Sequence, residues 1–486
     1  MFDRLFEWHP IGQDKILDNL VKNITDKIEN SRKSLKSITR ETRKNEKKIA
    51  THLINALYIS NFSFPASAVS INLTAKNYSG KQYGYKNVIK VYEAIQLLDW
   101  ITIKKGTESS GKVTRISPSK KLKNLFNEIG FRWRYYPPDK DKEFIVLRDR
   151  VKNKNKKKKY KKITLPLPQL DFTAKEQRAL LGFNQFISHH CIALDVSNRQ
   201  IKTIIKTINE KARTKPFWFE EPQHALNYSI THLRRIFARG KLNLGGRFYG
   251  VWWQSLPAKF RPHITIDGKK TVELDYSTMS LRLLYAREGI EIDAKRDLYD
   301  LGLSGTTKYL KDARDLIKIY INAILNDDEG RYRLTKQELT TLKLSHYQLQ
   351  SLVNTYHKPI SHLFGTGIGI ELMFLDSILA QRLMTWFQHQ GIVLLPIHDS
   401  FIITSGYEMT LKNQMQIEYQ RLMKKYIRVK SSGTKIREYF NKDLPLKIQP
   451  KEQIIGSKQL YDLVFNDDDN DIYSRYLGSW YSWISS

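Results

Sequence analysis

The sequence predicts a mixed α/β (α+β) chain, with an α/β region after about residue 170 preceded by a smaller unit of helices and a β-hairpin. Two patterns predict it. Apolar residues recur at helical spacing in the N-terminal part, and further on they give way to alternating strands that end in acidic residues. Charge is the third observation: 81 Lys and Arg against 49 Asp and Glu leave a net +32 over 486 residues. Solubility alone does not need such an imbalance. It points to a polyanionic partner, and nucleic acid is the commonest. A hydrophobic content of 41% excludes global disorder. Cys191 is the single cysteine, which excludes a disulfide scaffold and a Cys-ligated zinc site. The longest apolar runs, such as residues 391–396 and 399–404, are too short to span a bilayer. Acidic residues near the first methionine argue against an export signal. The expectation is a cytoplasmic, nucleoid-associated protein with no membrane partner.

Residues 1–48 form an N-terminal helical segment. Ile16, Leu17, Leu20, Val21, Ile24 and Ile28 make one narrow apolar seam, suited to packing on a neighbour or to a short coiled coil. Residues 49–135 read as a second unit: a helix over 49–59, a loop rich in Ser, Pro, Asn and Gly, and a helix over 85–98. Strands over 100–104 and 112–116 follow, joined by a Gly-containing turn. Helix, helix and basic hairpin is the order of a winged helix-turn-helix. In that arrangement Lys86 and Lys90 would face the major groove, and Lys112 and Arg115 on the wing would meet phosphates. The same order also suits a small α+β domain with solvated lysines, or a protein-interaction module. Residues 136–170 read as a basic hairpin or linker, because two apolar strands flank the run Lys152–Lys162 with its eight lysines. Such a run is a solvated loop, a localisation signal, or a hairpin tip that adds phosphate affinity. Pro166 and Pro168 mark a boundary. Residues 171–244 are helical in pattern.

Residues 245–430 carry two acidic landmarks. An alternating strand, Thr-Val-Glu-Leu-Asp275, ends in an acid and runs into an apolar helix over 281–286. An apolar hairpin over 392–404 carries His398-Asp399 at its tip. Two carboxylates at strand tips can converge on one sheet edge. Phosphoryl transfer uses such a pair, because two divalent metals bridge the attacking, transferred and leaving oxygens. Hard Mg²⁺ suits carboxylates completed by substrate oxygens. Either acid alone would be an ordinary turn or cap residue.

The set of motifs resembles the DNA polymerase I family, family A. Asp275-Tyr276-Ser277, followed by Ser280-Leu281-Arg282, is similar to its motif A. His398-Asp399-Ser400-Phe401 resembles motif C in the form found in single-subunit phage-type RNA polymerases. Gly245-Gly246-Arg247, with Leu256-Pro257 behind it, resembles the segment that precedes motif A, and Phe364-Gly365-Thr366-Gly367 resembles the start of the helix leading into motif C. The likeness covers about residues 235–410. It implies a right-hand-like palm with reduced fingers and a helical thumb-like region over 171–244. Asp275, Asp399 and Tyr276 would be metal ligands, and Arg247 and His398 would hold the primer end. Motif B is looser. Arg314 and Lys318, one helical turn apart, suit a triphosphate clamp or an ordinary surface helix. The positions where the family has aromatic residues hold Asn322 and Asn326. Motif C has Ser400 in place of a second carboxylate, so catalysis would rest on Asp275 and Asp399. Ser280 stands where the family's DNA polymerases have the Glu that excludes a ribose 2′-OH.

These features together imply a metal-dependent nucleotidyltransferase that extends a nucleic-acid 3′ end on a DNA template with weak sugar discrimination. Its cofactor would be two Mg²⁺ ions, with Mn²⁺ as a substitute. Its partners would be template, a DNA or RNA primer, and nucleoside triphosphates. Two other readings fit the same residues: a winged-helix replication initiator or regulator with a degenerate palm, and a weakly templated polymerase of defence or mobile-element biology. Residues 431–486 form a tail with an acidic patch and an aromatic end.

Overall fold

Two apolar cores with no residue in common organise the chain. The computed structural model describes residues 15–31, 38–62, 68–71, 84–105, 114–130, 138, 143–152, 160–214, 228, 230–301, 310–328, 330–425, 427–431 and 472–485. The first core joins α1 (Lys15–Asn30) and α2 (Arg40–Phe62) to β1 (Val69–Ile71), α3 (Tyr85–Leu97), β2 (Ile101–Lys104), β3 (Thr114–Pro118) and α4 (Lys120–Ile129). The seam Leu17, Leu20, Val21, Ile24 and Ile28 is buried, while Ile16 stays exposed. α1 therefore packs into the same core as the unit that follows it. α2 starts ahead of the expected Ile49, because its charged first turns are mostly solvated and leave no apolar signature. The strands form an antiparallel sheet in the order β1-β3-β2. β1 and α4 are additions to the sequence reading. Ser119 caps α4 by accepting from Leu122 N, and Tyr58 donates to the Gly130 carbonyl at 2.7 Å where that helix ends. Lys112 lies outside the described residues.

The second core begins with β4 (Ile145–Lys152) and β5 (Tyr160–Leu165), then α5 (Asp171–Ser188), β6 (Ile192–Leu194), α6 (Asn198–Thr214), β7 (Arg234–Ala238) and β8 (Lys241–Tyr249). Of the two readings of residues 136–170, β4 and β5 form a hairpin, and β4 also pairs in parallel with β7, so β5-β4-β7-β8 is one four-stranded sheet. Residues 153–159, most of the lysine run, lie outside the described residues. Among the described residues of the span 171–244, α5 and α6 are helical with β6 between them, and the strands β7 and β8 follow. Arg234–Tyr249 alternates with period two around an Arg239-Gly240 turn, which is the strand signature. Arg235, fully buried, binds this sheet to helices through Glu176, Gln381 at 2.7 Å and Ser377 at 3.0 Å.

The third sheet carries the acidic landmarks. It is built from β9 (Ile264–Ile266), β10 (Lys269–Tyr276), β11 (Leu394–Ile397) and β12 (Ser400–Thr404), in the order β11-β12-β10-β9-β6. β13 (Val429–Ser431) also pairs with β10. Between these strands run α7 (Met279–Arg287), α8 (Leu310–Asn326), α9 (Lys336–Leu342), α10 (His346–Tyr356), α11 (Gly369–His389) and α12 (Glu408–Met423). The aromatic end of the chain forms α13 (Ile472–Ile484), which buries Tyr476, Leu477 and Trp480 in this core. Trp480 Nε1 donates to the His189 carbonyl at 3.0 Å. Gly268, in the β9–β10 turn, has φ +75 and lies under α13, where a Cβ would come within 3.2 Å of Leu477 and Tyr481. Among the described residues no helix is long and apolar enough to cross a membrane.

Candidate active site

β10 and β12 run antiparallel with Asp275 opposite Ser400, so Asp399 lies in the hairpin turn beside the end of β10. The main chain ties the two acids together: Tyr276 N donates to the Asp399 carbonyl at 3.3 Å. Both Asp275 and Asp399 keep partial solvent access at the end of a buried sheet. The turn is tight. His398 adopts a left-handed backbone at φ 56, which lets the chain reverse immediately before Asp399. Behind it, Trp253 and Gln254 both donate to the Pro396 carbonyl and hold β11 in place.

β8 brings a cation to this turn, and its sequence shows how. Ile236 pairs with Arg247 and Phe237 with Gly245, so Gly246 is an extra residue in the strand, a bulge. Gly246 has φ +74, and a Cβ there would lie 2.9 Å from Ser377 Oγ of α11. Glycine therefore permits both the bulge and the close approach of α11. Past the bulge, Arg247 Nε donates to Asp376 Oδ2 of α11 at 2.5 Å. Asp376 is 2% exposed. Burial and then the nearby Asp399 push its carboxyl up to about 6, against the pull of Arg247. Burial disfavours the charged guanidinium of Arg247, but Asp376, Asp399 and Tyr249 outweigh it and raise its pKa. The His398 ring stacks at a tilt on Tyr249, 5.4 Å between centroids. Burial and Arg247 hold His398 down at about 4 although Asp399 opposes them, so the imidazole is neutral at pH 7. Its Nδ1 is buried without a hydrogen-bond partner.

α8 presents the cations expected to clamp a triphosphate. Arg314 is already engaged, donating to Asp297 through Nε at 2.6 Å and through a terminal nitrogen at 3.1 Å. Lys318 is exposed. Both cations lie over the ring of Tyr299, at 5.5 and 6.0 Å. Tyr299 is buried and hydrogen-bonded to Asn322, and burial raises its pKa; Asp399 acts in the same direction. An aromatic residue, Tyr299, thus stands beside the cations although the motif B positions lack one. Asn326 is different: it bonds back to the Asn322 carbonyl at 2.7 Å and packs under Gly369 at the start of α11. Ser280 is half-buried in the first turn of α7.

The structure therefore gathers Asp275, Asp399, Arg247 and His398 at one sheet edge, and groups Arg314, Lys318 and Asn322 of α8 around Tyr299. Tyr276 narrows the expected ligand set in one respect. Its phenol is buried and donates to the Met415 carbonyl at 2.8 Å, so that hydroxyl is already engaged and only the main chain of Tyr276 would remain for a metal. Lys86 and Lys90 on α3 and Arg115 on β3 lie on the N-terminal unit, apart from this site; Lys90 lies 3.9 Å from Glu46. Sequence reasoning missed Asp376, Tyr249 and Tyr299. Asp376 left one signal, an acid set in the apolar stripe Leu372, Leu379 and Leu383 of α11. Two hard carboxylates suit Mg²⁺ chemistry. Among the described residues no group of three or more His, Cys, Asp or Glu could hold a metal by itself, so substrate oxygens and water would complete the coordination. Compared with protein-family models and with curated proteins, the chain matches none.

Proposed function

We propose that the chain is a metal-dependent nucleotidyltransferase with a family A-like palm, extending a nucleic-acid 3′ end on a DNA template. The observation that carries this reading is the register of β10 and β12, which sets Asp275 and Asp399 side by side. Divalent ions held by this pair would stabilise negative charge on the phosphoryl oxygens and ease deprotonation of the attacking hydroxyl. The remaining work belongs to the chain's own residues. Lys318, exposed one helical turn from Arg314, neutralises the incoming triphosphate. Arg314 joins it by sharing its guanidinium between Asp297 and phosphate. Arg247, fixed by Asp376, and neutral His398 hold the primer end against the acid pair. In the N-terminal unit, the β1-β3-β2 sheet and α3 with Lys86 and Lys90 support a winged-helix reading in which this unit grips duplex DNA.

The test is an incorporation assay with Mg²⁺, crossing rNTPs and dNTPs against single-stranded, primed and duplex templates. Wild type is expected to extend a primed template, and Asp399→Asn to abolish extension while leaving DNA binding intact. A protein that binds DNA but never incorporates nucleotide would instead be a DNA-binding initiator or regulator.

A further inference from the structure

The motif C position that usually holds a second carboxylate is Ser400, and its hydroxyl is not idle. Ser400 Oγ donates to Glu273 Oε1 at 2.6 Å and lies 3.2 Å from the Ile397 carbonyl across the hairpin turn. Glu273 stands two residues before Asp275 on β10. The alternation of the strand and the pairing of Asp275 with Ser400 put all three on one face of the sheet. Arg261 donates to the same Glu273 oxygen at 2.7 Å, and its Nε is anchored on the Leu256 carbonyl at 3.2 Å. Glu273 is 9% exposed and Ser400 is 5% exposed.

A carboxylate at a buried strand position is costly to desolvate, and an apolar residue would serve packing as well or better. This one is given an arginine and a hydroxyl. The hydroxyl belongs to the residue that follows Asp399 and opposes Asp275. We infer, on the nucleotidyltransferase reading above, that Glu273 is a positioning residue for the acid pair. From the neighbouring strand it anchors Ser400 and thereby the left-handed turn that presents Asp399. Arg261 compensates its charge, so Glu273 orients the pair without joining it as a ligand. Outer groups of this kind orient the residues that bind a metal and tune how tightly they bind.

The experiment compares wild type with Ser400→Ala, Glu273→Gln, the double variant and Asp399→Asn. It reads kcat and KM for nucleotide, Mn²⁺ binding by loss of the free-ion paramagnetic signal, and thermal melting. Ser400→Ala and Glu273→Gln are each expected to lower kcat and weaken Mn²⁺ binding about 10–100-fold, with KM little changed. The double variant is expected to be no worse than the worse single one, because both substitutions interrupt one chain of contacts. Ser400→Thr, which keeps the hydroxyl, should recover most of the loss. Lowered melting temperatures with unchanged kcat and Mn²⁺ binding would show a purely structural network and overturn the inference. Losses that multiply in the double variant would overturn it too. If wild type incorporates nucleotide, Asp399→Asn does not, and both single variants match wild type, only the inference fails. If wild type neither incorporates nucleotide nor binds Mn²⁺ in a manner sensitive to Asp399→Asn, the polymerase reading fails and takes the inference with it.

Discussion

Ser280, in the first turn of α7, is five residues beyond Asp275. On the proposed nucleotidyltransferase reading, a small hydroxylic residue there would not exclude a ribose 2′-OH by bulk or charge. We therefore expect wild type to accept both sugars and Ser280→Glu to shift incorporation toward dNTPs, measured as the ratio of kcat/KM values. Strict dNTP use by wild type, unaltered in the variant, would place the gate elsewhere. His398 carries a second prediction. Burial first, then Arg247 and Arg261, hold its folded pKa at about 4, with Asp399 opposing. A histidine lowered in this way stabilises the fold fully above its unfolded value of about 6.5, and that stability is lost as pH falls through about 4. His398→Asn tolerates the left-handed backbone and does not titrate. The wild type should therefore lose on the order of 1–3 kcal/mol more than the variant between pH 7 and pH 4. Parallel melting curves across that range would show that the imidazole is not held neutral.

At the scale of elements, α13 shows what a sequence pattern can and cannot convey. The aromatic cluster over residues 473–483 is conspicuous, and an apolar helical face needs burial. Its docking place depends on Gly268, the His189 carbonyl and the strand β6, which lie far away in the chain. Trp480 is 7% exposed. Trp480→Ala should cost about 3–5 kcal/mol, read from denaturant unfolding of the second core. An unchanged midpoint would mean that α13 does not hold that edge of the sheet. The β8 bulge makes the same point. In sequence Gly245-Gly246 stands only as part of a motif-like segment, whereas in the fold it lets α11 approach and aims Arg247 at Asp376.

Across the whole molecule the dominant quantity is charge. A net +32 attracts any polyanion, and binding should weaken steeply with salt as counterions are released. β4 and β5 pair as far as Lys152 and Tyr160, so Lys152, Lys161 and Lys162 of the run lie on adjacent paired strands. Neutralising the six lysines over 156–162 should reduce the slope of log K against log salt by up to about five, at about 0.9 per phosphate contact, without changing base preference. An unchanged slope would show that these lysines stay solvated when nucleic acid binds.

Local patterns were enough for the elements that hold the two acids and the α8 cations. Alternation marks β10 and the β11–β12 hairpin, acids stand at their ends, and Arg314 and Lys318 share a helix face because helical geometry fixes the relation of residues four apart. The α1 seam was legible for the same reason. What stayed hidden depends on contacts between distant segments. The partnership of β4 with β7, Arg247 with Asp376, Tyr299 with the α8 cations and Glu273 with Ser400 each joins residues that no periodicity links. A buried charge carries no mark in the sequence that names its partner. The partner is set by which surfaces pack, and it becomes known only when the low-dielectric interior forces each ion to be paired.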